Sequence, residues 1–398
     1  MKQAMKVDAH LLRNFWIVLV KEVVDALRDR RTLLRLMIPA VLMGPLLLLA
    51  LSGLLSSLED KAEKRELLVA GIEHAPTLRN YFARQTYTIK TAPADYEAKL
   101  RATVLLEPVL VVGKDFEREL LEGDQPSVDL VSNSANQRAS AGLPALQRLM
   151  AGFNQERASL NLALRGISTD LLQPVTVEER DLASAQARAA RITGIIPMFI
   201  IMAVLYGALT SALDSTAGER ERGSLEPLLM NPVQQFALVM GKWGAVALLG
   251  MAVALLATLS FVPAQWLLKS DSLQAMFQFG GTEVVAFLLL QLPLAAGLGA
   301  LLMAFAIRSK TFKEAQAGST LVVTVVGITP LVSLLNPGGD AAWYLWVPGL
   351  AQNTLMMLVL KGEALSAAQV LPGVLVSALL MVVSLMYVAH SMRGAVAR

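Results

Sequence analysis

The chain has 398 residues, of which 55% are apolar, and its mean hydropathy is +0.52, more hydrophobic than an ordinary soluble domain. Its 35 basic and 32 acidic residues leave a net charge of +3, and no nucleic-acid partner is expected. Cysteine is absent, so no disulfide braces any part of it.

In chain order, the first segment is charged and amphipathic. About 30 such residues precede the first apolar run, more than the short basic region of a cleavable signal peptide. Leu12, Phe15, Trp16, Leu19, Val23 and Leu27 recur at helical spacing, with Arg13, Lys21, Arg28 and Arg30 elsewhere around the helix. Residues 1–35 therefore read as a cytoplasmic amphipathic helix, lying in the membrane interface or packed on cytoplasmic loops. Residues 36–58 form a first transmembrane helix.

Between residues 59 and 190 the composition changes. This stretch holds 16 basic and 19 acidic residues, against 19 and 13 in the rest of the chain. An insert of about 130 residues can bury a core of its own. Residues 66–72, 86–91, 109–112 and 128–131 read as strands, 95–102 as a short helix, and 174–177 as a last strand. Residues 134–165 read as one long amphipathic helix, with Leu143, Leu146, Leu149, Met150, Phe153, Leu160 and Leu164 as its apolar stripe. Pro144 either kinks that helix or marks its start. The insert is thus an α/β domain.

Five further runs, 192–213, 243–262, 284–307, 317–335 and 370–389, are long enough to cross a hydrocarbon core of about 30 Å. Residues 343–360 are also apolar, but Pro348-Gly349 breaks them into two short pieces. Lys2, Lys6, Arg13, Lys21, Arg28, Arg30, Arg31 and Arg35 precede the first span; Arg220, Arg222 and Lys242 flank the second loop; Arg308, Lys310 and Lys313 lie between spans four and five; Arg393 and Arg398 follow span six. With six spans all four clusters fall on one side, which the positive-inside rule makes the cytoplasm. Both termini are then cytoplasmic, residues 59–190 extracytoplasmic, and 343–360 a re-entrant segment whose broken backbone must be covered by protein.

The densest charge pattern follows span two, where residues 218–232 read GERERGSLEPLLMNP. Alternating carboxylates and guanidiniums at a helix exit form either a solvated, basic anchor or a docking surface for another protein. Gly218-Glu219-Arg220-Glu221-Arg222-Gly223, Leu225-Glu226-Pro227-Leu228-Leu229, Pro232 and Gly241-Lys242-Trp243 together resemble the segment after the second transmembrane helix in permease subunits of ABC-type exporters of the Nat-type (sodium-efflux) group, with a similar run in related multidrug-export permeases. The resemblance covers some 25 residues in the matching topological place. It implies that residues 214–235 form a coupling segment, in which Glu219, Arg220, Glu221, Arg222, Gly223, Leu225, Glu226, Pro227, Leu228 and Leu229 meet a separate ABC ATPase subunit. It also implies that the N-terminal helix is an interfacial elbow beside the ATPase groove, that spans two and five line the pathway, and that the cell is bounded by a bacterial inner membrane. The 109–120 stretch is similar to the family's Val-rich strand followed by Asp-Phe-Glu, although Gly113-Lys114 stands where the family often carries Pro.

Enzymatic chemistry finds no foothold. The phosphate-loop pattern G-x-x-x-x-G-K-[ST] is missing, since Gly241-Lys242 is followed by Trp243 and Phe236 stands five residues before Gly241. His10, His74 and His390 are too scattered for a zinc site. Glu178-Glu179-Arg180 reads as an exposed charge run. A secondary transporter needs carboxylates near the membrane midplane, but Asp214 and Glu283 lie at the ends of spans two and four. Pro197, Pro293 and Pro330, the Gly297-x-Gly299 pair and the hydroxyls of Thr320, Thr324, Thr329 and Ser333 read as helix packing and kinking.

These readings converge on an α-helical integral membrane protein of six transmembrane helices, with spans two to six in residues 191–398 and an inserted extracytoplasmic α/β domain. No catalytic residue, metal site or cofactor is expected. Six helices are few for a conduit, so pairing with a second permease subunit, as homodimer or with a sister permease, is expected within the membrane lipids. Sodium ion is the cargo the resemblance implies; drugs, lipids or peptides are the alternative cargo. A membrane-anchored binding or signalling protein is the rival class.

Overall fold

The computed structural model describes residues 2–134, 136, 142–172, 175, 178, 180–224, 227, 234–277, 279–309, 311–336 and 339–396. They fall into two compact units, 1–56 with 182–398, and 57–181.

The larger unit is helical. It begins with α1 (Lys2–Arg28) and α2 (Arg30–Lys64), whose segment Leu33–Ser57 is the first of six candidate membrane spans. The others are Ile196–Glu221, Gln235–Leu267, Gly281–Ala306, Phe312–Leu335 and Ala367–Met392. Each overlaps a run read from the sequence, because a window of apolar residues long enough for lipid leaves no soluble alternative. At about 1.5 Å per residue the third span, 33 residues, outruns the hydrocarbon core, so part of that helix projects beyond it.

Burial divides the spans sharply. In spans two, three and four, 61, 50 and 56% of the apolar window is buried inside the chain, against 22% in spans one, five and six. The core therefore sits between spans two, three and four, where Ile196, Ile200, Leu205, Phe261, Phe287 and Leu294 are almost fully covered. Gly297 lets span six approach span four closely, since a Cβ there would lie 2.7 Å from the Ser377 carbonyl oxygen.

Residues 343–360 form two short pieces. A 3₁₀ turn, Ala342–Trp346, is followed by the helix Leu350–Leu360, with the break at Val347, Pro348 and Gly349. Eleven residues rise only about 17 Å, too little to cross. Leu350, Ala351, Leu355 and Met356 are instead buried against protein.

The smaller unit contains β1 (Glu66–Ala70), α3 (Pro76–Arg84), β2 (Thr88–Thr91), α4 (Tyr96–Arg101), β3 (Val109–Val112), α5 (Phe116–Glu122), β4 (Val128–Val131) and α6 (Leu143–Leu164). The sheet order is β2-β1-β3-β4, parallel except for the antiparallel β3/β4 pair. Side chains alternate across it. Val69, Leu110 and Val112 face α3, α5 and α6, meeting Leu78, Phe82, Phe116, Leu146 and Phe153. Leu68, Val109 and Val111 face the other way, onto Leu100 and Tyr96 of α4.

Pro144 occupies the first turn of α6, where a missing N–H costs nothing, so it starts the helix rather than kinking it. Two helices, α3 and α5, stand where the sequence suggested none. The proposed strand at 174–177 falls largely outside the described residues.

Candidate functional site at the GERER and GKW motifs

We number the following helices α7 (Ala185–Thr193), α8 (Ile196–Leu213), α9 (Gln235–Ala264), α10 (Asp271–Met276), α11 (Gly281–Ala306) and α12 (Phe312–Ile328). Span two does not end as an ordinary helix. Its last turn, Asp214–Gly218, is a π-turn, leading directly into a single helical turn, Glu219–Glu221. The wider turn shifts the phase of whatever follows. Consecutive residues of a helix point about 100° apart, so Glu219, Arg220 and Glu221 reach three different neighbours.

Glu219 turns inward and is 9% exposed. Its Oε2 accepts a hydrogen bond from Lys242 Nζ at 2.7 Å, and its Oε1 accepts one from Lys21 Nζ at 3.3 Å. Both ammonium groups also donate to Glu22 Oε1, Lys242 at 2.8 Å and Lys21 at 3.0 Å. Lys21, Glu22, Lys242 and Glu219 thus close a ring of alternating charge. Asp25, one turn along α1, adds a looser contact to Lys21 at 3.5 Å. Lys242 is 1% exposed, and a lysine so buried is tolerated when its charge is compensated on more than one side. Burial alone would lower the Lys21 pKa, but the hydrogen bond and charge of Glu22, with those of Glu219, outweigh it and raise the value above that of free lysine.

Arg220 reaches a different place. Its Nη1 donates to the carbonyl oxygens of Ile307 and Ser309, both at 3.1 Å, just beyond the C-terminal end of α11. Glu221 Oε2 accepts from the backbone N–H of Phe312 at 2.8 Å, at the first turn of α12, beside the Thr311 cap. A guanidinium at a helix C-terminus and a carboxylate at a helix N-terminus both oppose the end charges of the backbone. The two residues therefore grip the connection between spans four and five from either side. Arg222 folds back towards Asp214 at 3.8 Å, and Gly223, with φ of 66°, ends the turn in the left-handed conformation that glycine adopts without penalty.

The second motif supplies the other half. A Cβ on Gly241 would lie 2.6 Å from Val18 Cβ, and one on Gly244 would lie 2.8 Å from Leu19 Cδ1. Glycine at these two positions lets α1 lie directly on α9 and brings Glu22 within reach of Lys242. Trp243, pointing elsewhere, donates from Nε1 to the Ala296 carbonyl oxygen of span four at 2.9 Å. Gly241-Lys242-Trp243-Gly244 thus meets α1, the GERER turn and span four.

The N-terminal helix serves two surfaces at once. Val18 and Glu22 are buried against the bundle, while Leu12, Trp16, Val20 and Leu27 are half or more exposed along another face. One face of this helix packs on the bundle, and the other is left uncovered within the chain.

Of the residues proposed for ATPase coupling, Glu219, Arg220 and Glu221 are engaged inside the chain. Arg222, Gly223 and Pro227 are exposed, and Leu225, Glu226, Leu228 and Leu229 lie outside the described residues. Arg220 is consequently more than the free surface charge that the sequence suggested. Glu22 and Lys21 were missed as site residues. One clue was available: Lys242 is a lone cation at the head of a long apolar helix, which demands a carboxylate partner. Glu283 accepts from the Gly280 N–H at 2.8 Å and so caps the start of span four.

Comparison with known proteins agrees with this arrangement. The chain is 29% identical over 350 residues to the ABC transporter permease protein NatB of Bacillus subtilis (strain 168), an alignment covering 86% of this chain and 88% of that protein. The model of the family described as ABC-2 family transporter protein matches residues 35–389, which take in spans two to five, nearly all of spans one and six, the insert, the GERER turn and the GKW motif. The chain belongs to the ABC-2 family of transporter proteins, as a multi-pass ABC permease of the Nat type.

Proposed function

We propose that this permease is the membrane-spanning half of an ATP-driven exporter. ABC-2 membership implies an ABC ATPase partner, which would hydrolyse the ATP. The observation that carries the export mechanism is the GERER turn, which contacts α1, span three and the connection between spans four and five within a few residues. A load applied to residues 214–235 would reach all of them. The docking surface is then the remainder of that segment, Arg222 to Leu229, of which Arg222, Gly223 and Pro227 are exposed, with α1 as the second wall of the socket.

In this reading both termini and the GERER turn face the cytoplasm, residues 59–190 form an extracytoplasmic α/β domain, and 343–360 re-enter from the outer side. Exposed Trp266, Trp343 and Trp346 suit the outer interface, where indole rings are enriched. Spans one and five leave most of their apolar surface uncovered, which supports a second permease copy or a sister permease packed there within lipid.

Sodium ion is the cargo implied by the Nat-type resemblance. One observation favours a hydrophobic cargo instead: spans one, two and three line a half-open cleft of about 430 Å³, walled mostly by apolar side chains such as Leu36, Met43, Met198, Phe199 and Phe261, with Arg35 also in its lining. The test is uptake into inside-out vesicles carrying the permease with its ATPase, comparing ²²Na⁺ with a hydrophobic dye. ATP-dependent uptake of ²²Na⁺ supports sodium export, and dye uptake supports the second reading. Gradient-driven uptake by the permease without its ATPase would sink both.

A further inference from the structure

The charge ring is an odd thing to bury. Two carboxylates and an ammonium give up most of their hydration at this point, and a buried ion pair is seldom more stabilising than apolar residues of the same volume. Such a cluster is better suited to holding one geometry than to adding stability. Three features show which geometry it holds. Each ammonium bridges both carboxylates, and Lys242, unlike the partly exposed Lys21, has no water to turn to if it leaves them. The four residues come from three elements: Lys21 and Glu22 from α1, Lys242 from span three, and Glu219 from the turn ending span two. Gly241 and Gly244 remove the side chains that would otherwise space α1 from span three.

We propose that Lys242 is a positioning residue for energy coupling: by closing the ring it locks α1, the GERER turn and span three into one lever, which carries the ATPase stroke into the membrane. The inference rests on the exporter reading above. Arg220 and Glu221 extend the lever to the ends of spans four and five, and the exposed apolar face of α1 seats its far side on the membrane surface. Lys242 itself touches no cargo. Its work is to keep Glu219 fixed, so that displacement of the segment beyond Gly223 moves helices instead of unwinding the π-turn.

The experiment uses the permease assembled with its ATPase in liposomes. Lys242→Arg keeps the charge; Lys242→Met leaves two buried carboxylates with only the partly exposed Lys21 and risks misfolding; the triple variant Glu22→Gln, Glu219→Gln, Lys242→Met neutralises the three buried members while keeping their size, and leaves Lys21 its contact with Asp25. Two quantities are read: ²²Na⁺ and hydrophobic dye moved per ATP hydrolysed, and the distance distribution between spin labels at Leu12 and Leu248, both exposed sites, with and without ATP. In the wild type the label distance should be narrow and unchanged by ATP. The triple variant should broaden it and lower cargo moved per ATP by about tenfold, within the usual range of a coupling free energy between sites, while Lys242→Arg stays within about twofold of wild type.

A triple variant with wild-type transport per ATP, or with an equally narrow label distance, overturns the proposal. If wild type moves neither probe under ATP, the exporter reading fails, and the label distances still decide whether the ring makes a single rigid body.

Discussion

The two units of this chain use charge in opposite ways. In the insert, ionic contacts ring an apolar core: Lys90 with Glu66, Lys99 with Asp95, Arg101 with Glu97 and Arg118 with Asp115 all lie among exposed side chains. In the helical unit, three of the four ring members, Glu22, Glu219 and Lys242, are buried, and only Lys21 reaches water. The same residue types therefore do different work. At the surface, water already solvates each charge and a pair adds little. Inside, each charge depends on its partners, and losing one leaves the others in a medium that does not solvate them. Charge content says little about how a region is held; the partner count and the access of water decide it.

The largest test of that contrast is Lys242→Met. It should lower the stability of the helical unit by about 3 kcal/mol, the low end of the cost of breaking a buried pair, because Glu22 and Glu219 remain buried and keep only the partly exposed Lys21 as a cation. Thermal unfolding in detergent measures it. Neutralising the two carboxylates in the same chain should restore most of the loss, which separates stranded charge from lost packing. A Lys242→Met variant as stable as wild type would mean that water and Lys21 suffice for the two carboxylates, and that the two units are alike after all.

How much of this was legible beforehand follows from the range of each interaction. The six spans were plain because lipid demands unbroken apolar windows, a local property. Their ends were less so: the third helix begins at Gln235, eight residues before the apolar run. The strands of the insert showed through Val-rich runs, but α3 and α5 were too short, nine and seven residues, to display a helical period. The GERER turn stood out as a motif, and the ring within it did not. Glu219 and Lys21 are 198 positions apart, and Glu22 and Lys242 are 220 apart. Spacing carries no information at that range. The phase change that turns Glu219 inward comes from a π-turn, which leaves no pattern in composition.

A middle-sized effect lies within the motif, between its two arginines. Arg220 donates to two carbonyls at the end of span four, whereas Arg222, itself exposed, meets the half-buried Asp214 at a looser 3.8 Å. Arg220→Glu should cost about 1.5–3 kcal/mol, since charge-assisted hydrogen bonds are lost and an anion faces carbonyl oxygens. Arg222→Glu should stay within about 1 kcal/mol. Unfolding midpoints of the two variants, side by side, decide this. Equal midpoints would remove the distinction drawn here between a gripping arginine and a surface one.

The smallest effect belongs to the insert. Lys90 Nζ and Glu66 Oε2 are 2.6 Å apart on neighbouring strands, closer than any contact in the ring, with 55 and 33% of their side chains exposed. If distance governed strength, this pair would be stronger than any in the ring. If access of water governs it, a double-mutant cycle with Lys90→Ala and Glu66→Ala should give a coupling of about 0–1 kcal/mol. Raising the salt to 1 M, where the screening length falls to about 3 Å, should remove much of even that. The buried ring should barely notice the same salt, because mobile ions cannot come between Lys242 and its carboxylates. A coupling above about 2 kcal/mol at Lys90, insensitive to salt, would show that the sheet shields the pair far better than its exposure implies, and the contrast between the two units would then rest on geometry alone.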